Sequence, residues 1–184
     1  VVSSYHLHHV AGKVVALAEF KQFGAAYARD TVANAQALGA ALAERGFDVL
    51  AANRGFTKSH QIVTRHGATD SAAGAKAAAT LEACGIITNM NMLPGDTKPL
   101  TPSGVRLGVQ ELTRVGMGKS EMTEVAQFFQ RALVKNEEPA KVKRDVKAFK
   151  ARFQEVKYCF NDEKLGGYEF FELAKKTPSL ARFA

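Results

Sequence analysis

Cysteine is scarce in this chain, and proline is confined to a few places. The two cysteines, Cys84 and Cys159, stand in no CxxC or other metal-ligand spacing, which removes zinc-type sites. Nothing in their placement asks for an oxidising compartment, so the cytoplasm is expected. No apolar run approaches the length of a membrane-spanning helix, and no basic-then-apolar leader opens the chain. The first residue is Val1, not Met, and VVSSYHLHH reads as the interior of a longer sequence. A fragment or a processed product is expected. There is no RNA-recognition motif and no interleaved aromatic platform, so nucleic acid is not expected despite a net charge of +7. That excess comes largely from the C-terminal third, Lys135 to Lys176.

What remains is ordinary globular material. The 184 residues are 46% hydrophobic and 23% charged, enough for one domain with an appendage. Residues 10–45 are helix formers without proline. Val10, Val14, Leu17 and Phe20 step by three and four, as do Val32, Ala35, Leu38 and Leu42. The phase shifts near Phe20 to Gly24, which predicts two consecutive helices with a bend, the second ending at Gly46. Strands are expected at 47–52, 60–65, 86–89 and 104–109. A helix capped by Asp70 or Ser71 is expected to run to Cys84, where the thiol would be buried. Another helix should span 120–135. A basic helix should span 140–158, with a seam of Val142, Val146, Phe149, Phe153 and Val156. That seam is expected to pack on its own domain, with the lysine stems lying along the surface. The tail from Asn161 should wrap a larger body. The order gives an α+β fold: a small, mainly antiparallel sheet with helices packed on one face.

The most informative stretch is Ile87 to Thr113, ITNMNMLPGDTKPLTPSGVRLGVQELT. An Asn-x-Asn pair leads into a turn-rich loop and then into Ser-Gly-Val-Arg-Leu-Gly. Arg106 sits between two apolar residues, and those between two glycines. A guanidinium held on a strand, with glycine giving close access, suits bidentate capture of a carboxylate. The alternative is an arginine at a strand edge pointing to water. His6, His8 and His9 cluster near the start, but no third ligand of sensible spacing is visible, so no metal is expected. His60 is expected to pack in the core and Arg114 to form a structural ion pair.

Three blocks carry a resemblance: HHVAGKVVALAEF from His8, NAQALGAALAERGFDVL from Asn34, and ITNMNMLPGDTKPLTPSGVRLGVQELTRVG from Ile87. In order and spacing they resemble the C-terminal portion of the serine hydroxymethyltransferase (glycine hydroxymethyltransferase) family, over about Val1 to Leu133. The resemblance implies the small domain of a fold-type-I pyridoxal 5'-phosphate enzyme, a homodimer or tetramer. Such enzymes interconvert serine and glycine and pass the one-carbon unit to tetrahydrofolate. It implies that Arg106 binds the amino-acid carboxylate, that Asn91 holds the folate, and that Ser3 and Ser4 reach the cofactor phosphate of a neighbouring subunit. It also implies domains: connecting helices from an absent large domain over 1–45, an α+β small domain over 46–136, and a basic helix and tail over 137–184. The Schiff-base lysine of the family would lie upstream, so this piece alone is expected to be inactive.

The sequence departs from the family at three points. Ser3 and Ser4 stand where the family has Gly-Gly, Met90 replaces the lysine inside Asn-x-Asn, and Pro102 stands where Thr is usual. Such changes suit a divergent relative, a 2-methylserine hydroxymethyltransferase or a threonine transaldolase. Two further readings are another fold-type-I small domain, such as that of an aminotransferase, and a non-catalytic interaction module using the basic helix. The Asn-x-Asn loop argues against the aminotransferase.

Overall fold

The structure, a computed structural model, describes residues 6–160. Ser3, Ser4 and the tail beyond Phe160 lie outside the described residues. Helix α1 (Leu7–Ala43) runs unbroken for 37 residues. The expected bend is absent: no proline interrupts the hydrogen-bond ladder, and Gly24 stays helical. An ideal Cβ on Gly24 would stand 3.0 Å from Phe20 Cδ1, so the bare position makes room for that ring. The phase shift marks instead a change in which face is covered. Leu7, Val14, Leu17 and Phe20 are exposed, whereas Ala35, Leu38 and Leu42 are buried. The helix stops at Gly46, whose φ of +83° turns the chain so that Phe47 N donates to Leu42 O at 3.2 Å.

The sheet is antiparallel throughout, with strand order β1-β2-β4-β3. Strand β1 is Asp48–Val49, β2 is Gln61–Arg65, β3 is Asn89–Asn91 and β4 is Gly104–Gly108. The third strand forms later in the chain than its apolar residues suggest. The Asn-x-Asn triplet itself pairs with β4, Asn89 opposite Arg106 and Asn91 opposite Gly104. Pairing with a neighbour decided the strand, not local propensity.

Helix α2 (Ala73–Ala83) lies against β3 and β4. Its approach is close: an ideal Cβ on Gly74 would stand 2.4 Å from Gly104 O, so only glycine fits there. The expected cap by Asp70 or Ser71 is replaced by Ala72 in the left-handed region, with no side-chain cap. A five-residue helix α3 (Gln110–Arg114), too short to announce itself by periodicity, links β4 to α4 (Lys119–Leu133). Glu121 in the first turn of α4 accepts from Gly118 N at 2.7 Å. Helices α1 and α2 pack on the sheet and α4 packs on both of them, so that Ile62, Val105 and Leu107 share one core with Leu42, Leu81 and Met122. Asn34 of α1 is the polar pin of this layer, donating to Thr113 Oγ1 at 3.0 Å and to Met117 O at 2.8 Å.

Helix α5 (Pro139–Lys150) ends eight residues before the predicted limit. The chain then turns back: Lys157 N donates to Arg114 O, Arg114 Nη1 to Tyr158 O, and the Tyr158 hydroxyl to Asp30 Oδ2. These long-range bonds outcompete further helix. Burial, joined by the Asp30 hydrogen bond, pushes the Tyr158 phenol up to about 12. Val142 and Phe149 of α5 are buried, and the helix packs on α2 and α4. Arg131 joins α4 to α5 through Glu137 at 3.0 Å and Asp145 at 2.6 Å.

Candidate carboxylate-binding site

Residues opposite one another in an antiparallel pair point to the same face of the sheet, and the face alternates along each strand. Ile62, Thr64, Val105 and Leu107 face the helices. Arg106 therefore projects from the other face, beside Val63 on β2 and Asn89 on β3. It sits on an inner strand, which rules out the edge arginine that the sequence left open. It is half-buried, and its side chain makes no hydrogen bond or ion pair among the described residues. Asn91 lies on the same face opposite Gly104, and its Nδ2 donates to Met92 O at 2.7 Å.

Two carboxylates that the sequence did not mark as functional hold the loop leading to Arg106. Asp96 accepts from Asp70 N, Leu93 N, Ser103 N and Ser103 Oγ, all at 2.8–2.9 Å. Asp70 accepts from Thr97 N at 2.9 Å, Lys98 N at 3.0 Å and Thr97 Oγ1 at 2.7 Å. The Leu93, Ser103 and Asp70 amides hold the Asp96 carboxyl far below the usual carboxylate range. The Thr97 hydroxyl and the Lys98 amide lower Asp70 likewise. Each clamps the segment that carries the other, so the loop has one shape. Ser103 is fully buried, and its carbonyl accepts from His66 N at 2.7 Å, tying the start of β4 to the end of β2. Burial lowers the His66 pKa, and Thr64 Oγ1 lies 2.8 Å from its Nε2. The sequence signal for this clamp was thin: an aspartate on either side of a 26-residue gap, one of them resembling a helix cap.

Other positions singled out from the sequence fall elsewhere. Arg114 pairs with Glu19 at 3.3 Å, lining a pocket of about 300 Å³ between α1 and α3 that also holds Tyr27 and Tyr158. Its guanidinium is engaged there and is no anion receptor. His60 is half-buried at the start of β2. His6, His8 and His9 are exposed in the first turn of α1. Cys84 is buried, and burial pushes its thiol up, away from reactivity.

The open face thus offers two guanidinium groups, Arg65 and Arg106, and three carboxamides, Gln61, Asn89 and Asn91. Those donors suit a carboxylate. Among the strand residues on this face none is a lysine.

Comparison with known proteins gives this arrangement a context. The family model described as serine hydroxymethyltransferase matches residues 3–129. The serine hydroxymethyltransferase of Thermococcus kodakarensis is 50% identical over 163 residues, covering 88% of this chain and 38% of that protein. That of Methanocella arvoryzae is 51% identical over 171 residues, covering 92% and 40%. The chain therefore spans about two fifths of the length of these curated relatives. The crystal structure of an L-threonine transaldolase from Pseudomonas fluorescens superposes with a TM-score of 0.73 at 34% identity, covering 88% of this chain and 36% of that one. The motif around Arg106 lies inside the matched region, and with well over half of its residues accounted for by one family model, the chain belongs to the serine hydroxymethyltransferase family.

Proposed function

We propose that this chain is the substrate-carboxylate lobe of a serine/glycine hydroxymethyltransferase, with Arg106 as the group that grips the amino acid. The observation that carries the reading is Arg106 itself: a half-buried guanidinium on an inner strand, facing outward, with no partner among the described residues. A bidentate grip fixes the amino acid's orientation, which is a positioning contribution to catalysis. Pyridoxal phosphate supplies the electron sink in the intact enzyme. Its attachment lysine comes from the part of the enzyme that this chain does not span. Asn91 offers its carboxamide to the folate co-substrate. Ser3 and Ser4 serve the cofactor phosphate of a neighbouring subunit in a homo-oligomer. The exposed apolar positions Leu7, Val14, Leu17 and Phe20 of α1 support the reading, since the remainder of such an enzyme would cover them.

The test is conversion of serine to glycine with tetrahydrofolate by the full-length protein, with the 184-residue chain assayed beside it. Activity in the former and none in the latter is expected. A second reading, a threonine transaldolase, is favoured by the solved relative at 34% identity and by Met90 between the two asparagines. Release of acetaldehyde from L-threonine, with the glycyl unit joined to an added acceptor aldehyde and no effect of tetrahydrofolate, would select it.

A further inference from the structure

Two arginines stand on the open face. Arg65 ends β2 opposite Gly104, while Arg106 lies opposite Val63, two positions along. Residues two apart on a strand share a face, so both side chains leave the sheet on the same side. Diagonal neighbours of this kind have Cα atoms about 7–8 Å apart. Two long side chains at that spacing can converge on the two ends of one small molecule. Gly104 puts no side chain between them. Leu93 lies over it instead: an ideal Cβ on Gly104 would stand 2.5 Å from Leu93 Cδ2. The clamped loop thereby places an apolar wall beside two cations.

Of the strand residues on this face, only Asp48, Arg65 and Arg106 carry charge. Arg106 has no ionic partner among the described residues. Arg65 has Asp48 at 3.4 Å, in a pair whose side chains are 32% and 62% exposed. An ion pair this open to water holds its arginine only weakly. The face carries one more positive charge than negative, and its acid sits at the rim.

We propose that Arg65 is a second anion-binding group and that the site, beside serine, also takes amino acids bearing two acidic groups. The α-carboxylate goes to Arg106 and the side-chain acid to Arg65, displacing Asp48 from that guanidinium. The proposal rests on the assignment of Arg106 given above.

Calorimetric titration of the full-length, cofactor-loaded protein with L-aspartate and with L-asparagine tests it. The two amino acids have the same shape and differ in side-chain charge. Aspartate is expected to bind about tenfold more tightly, as a charge-assisted contact to a guanidinium gives. Arg65→Gln should bring aspartate down to the level of asparagine. Asp48→Asn, which frees Arg65, should widen the gap in favour of aspartate. Equal affinities in the wild type, no binding of either amino acid, or a preference that survives Arg65→Gln would overturn the proposal. Arg106→Ala separates the two assignments. If it weakens both amino acids, the primary carboxylate site stands whatever Arg65 does; if it weakens neither, the assignment of Arg106 fails.

Discussion

Asp96 accepts four hydrogen bonds, three of them from backbone amides: Leu93 and Ser103 belong to the loop that leads into β4, and Asp70 to the turn before α2. The carboxylate is thus the keystone of the loop, and its charge state sets the loop's pH range. Its folded pKa lies below the unfolded value of 3.8, as does that of Asp70. Groups of this sign stabilise fully above the unfolded pKa and lose their contribution as pH falls through the folded one. His66 acts in the same direction at higher pH. Its neutral form is favoured by burial, so its contribution is complete above 6.5 and declines on acidification below that value. Thermal melts followed from pH 8 downward should therefore show an early loss below 6.5 and a second below 3.8. Asp96→Asn should lower the melting temperature at pH 7 and flatten the second loss. A variant with an unchanged acid limb would show that the clamp is not what acid breaks.

Helix α5 illustrates how a basic amphipathic element can be read two ways. Its lysines suggest an anionic surface, but Val142 and Phe149 are buried and Arg131 anchors it through Glu137 and Asp145. Its apolar seam is spent on its own domain. Phe149→Ala should cost about 3 kcal/mol of unfolding free energy, measured by urea denaturation. A change near zero would mean that the helix is only loosely attached. The elements most legible in the sequence were those decided locally. The β-branched run of β2, the glycine stop of α1 and the acidic first turn of α4 follow from neighbouring residues alone. The elements misread were those decided at a distance. Asn89–Asn91 become a strand because Arg106 and Gly104 pair with them. Asp70 turns away from α2 because Thr97 and Lys98 offer three donors. The last ten described residues leave the helix for contacts with Arg114, Asp30 and Glu19. In the site, Arg106 stood out because its neighbours explain nothing about it. Arg65 did not, because only the register of β2 against β4 puts the two together.

At the scale of the molecule, α1 has two unlike halves. The C-terminal half is built into the core, whereas the N-terminal half carries Leu7, Val14, Leu17 and Phe20 in the open. Amide exchange of the 184-residue chain should be fast over residues 7–20 and slow over residues 31–43. Uniform protection along α1 would contradict that division. The asymmetry suits the proposed reading of a lobe that completes a larger enzyme and carries the substrate's anchor. The most direct measurement is the affinity of the full-length, cofactor-loaded protein for L-serine with Arg106 intact and with Arg106→Ala. A loss of about 2 kcal/mol, roughly thirtyfold, is expected, with the cofactor absorbance unchanged. Near-normal serine affinity in the variant would contradict the assignment of Arg106 as the carboxylate's partner.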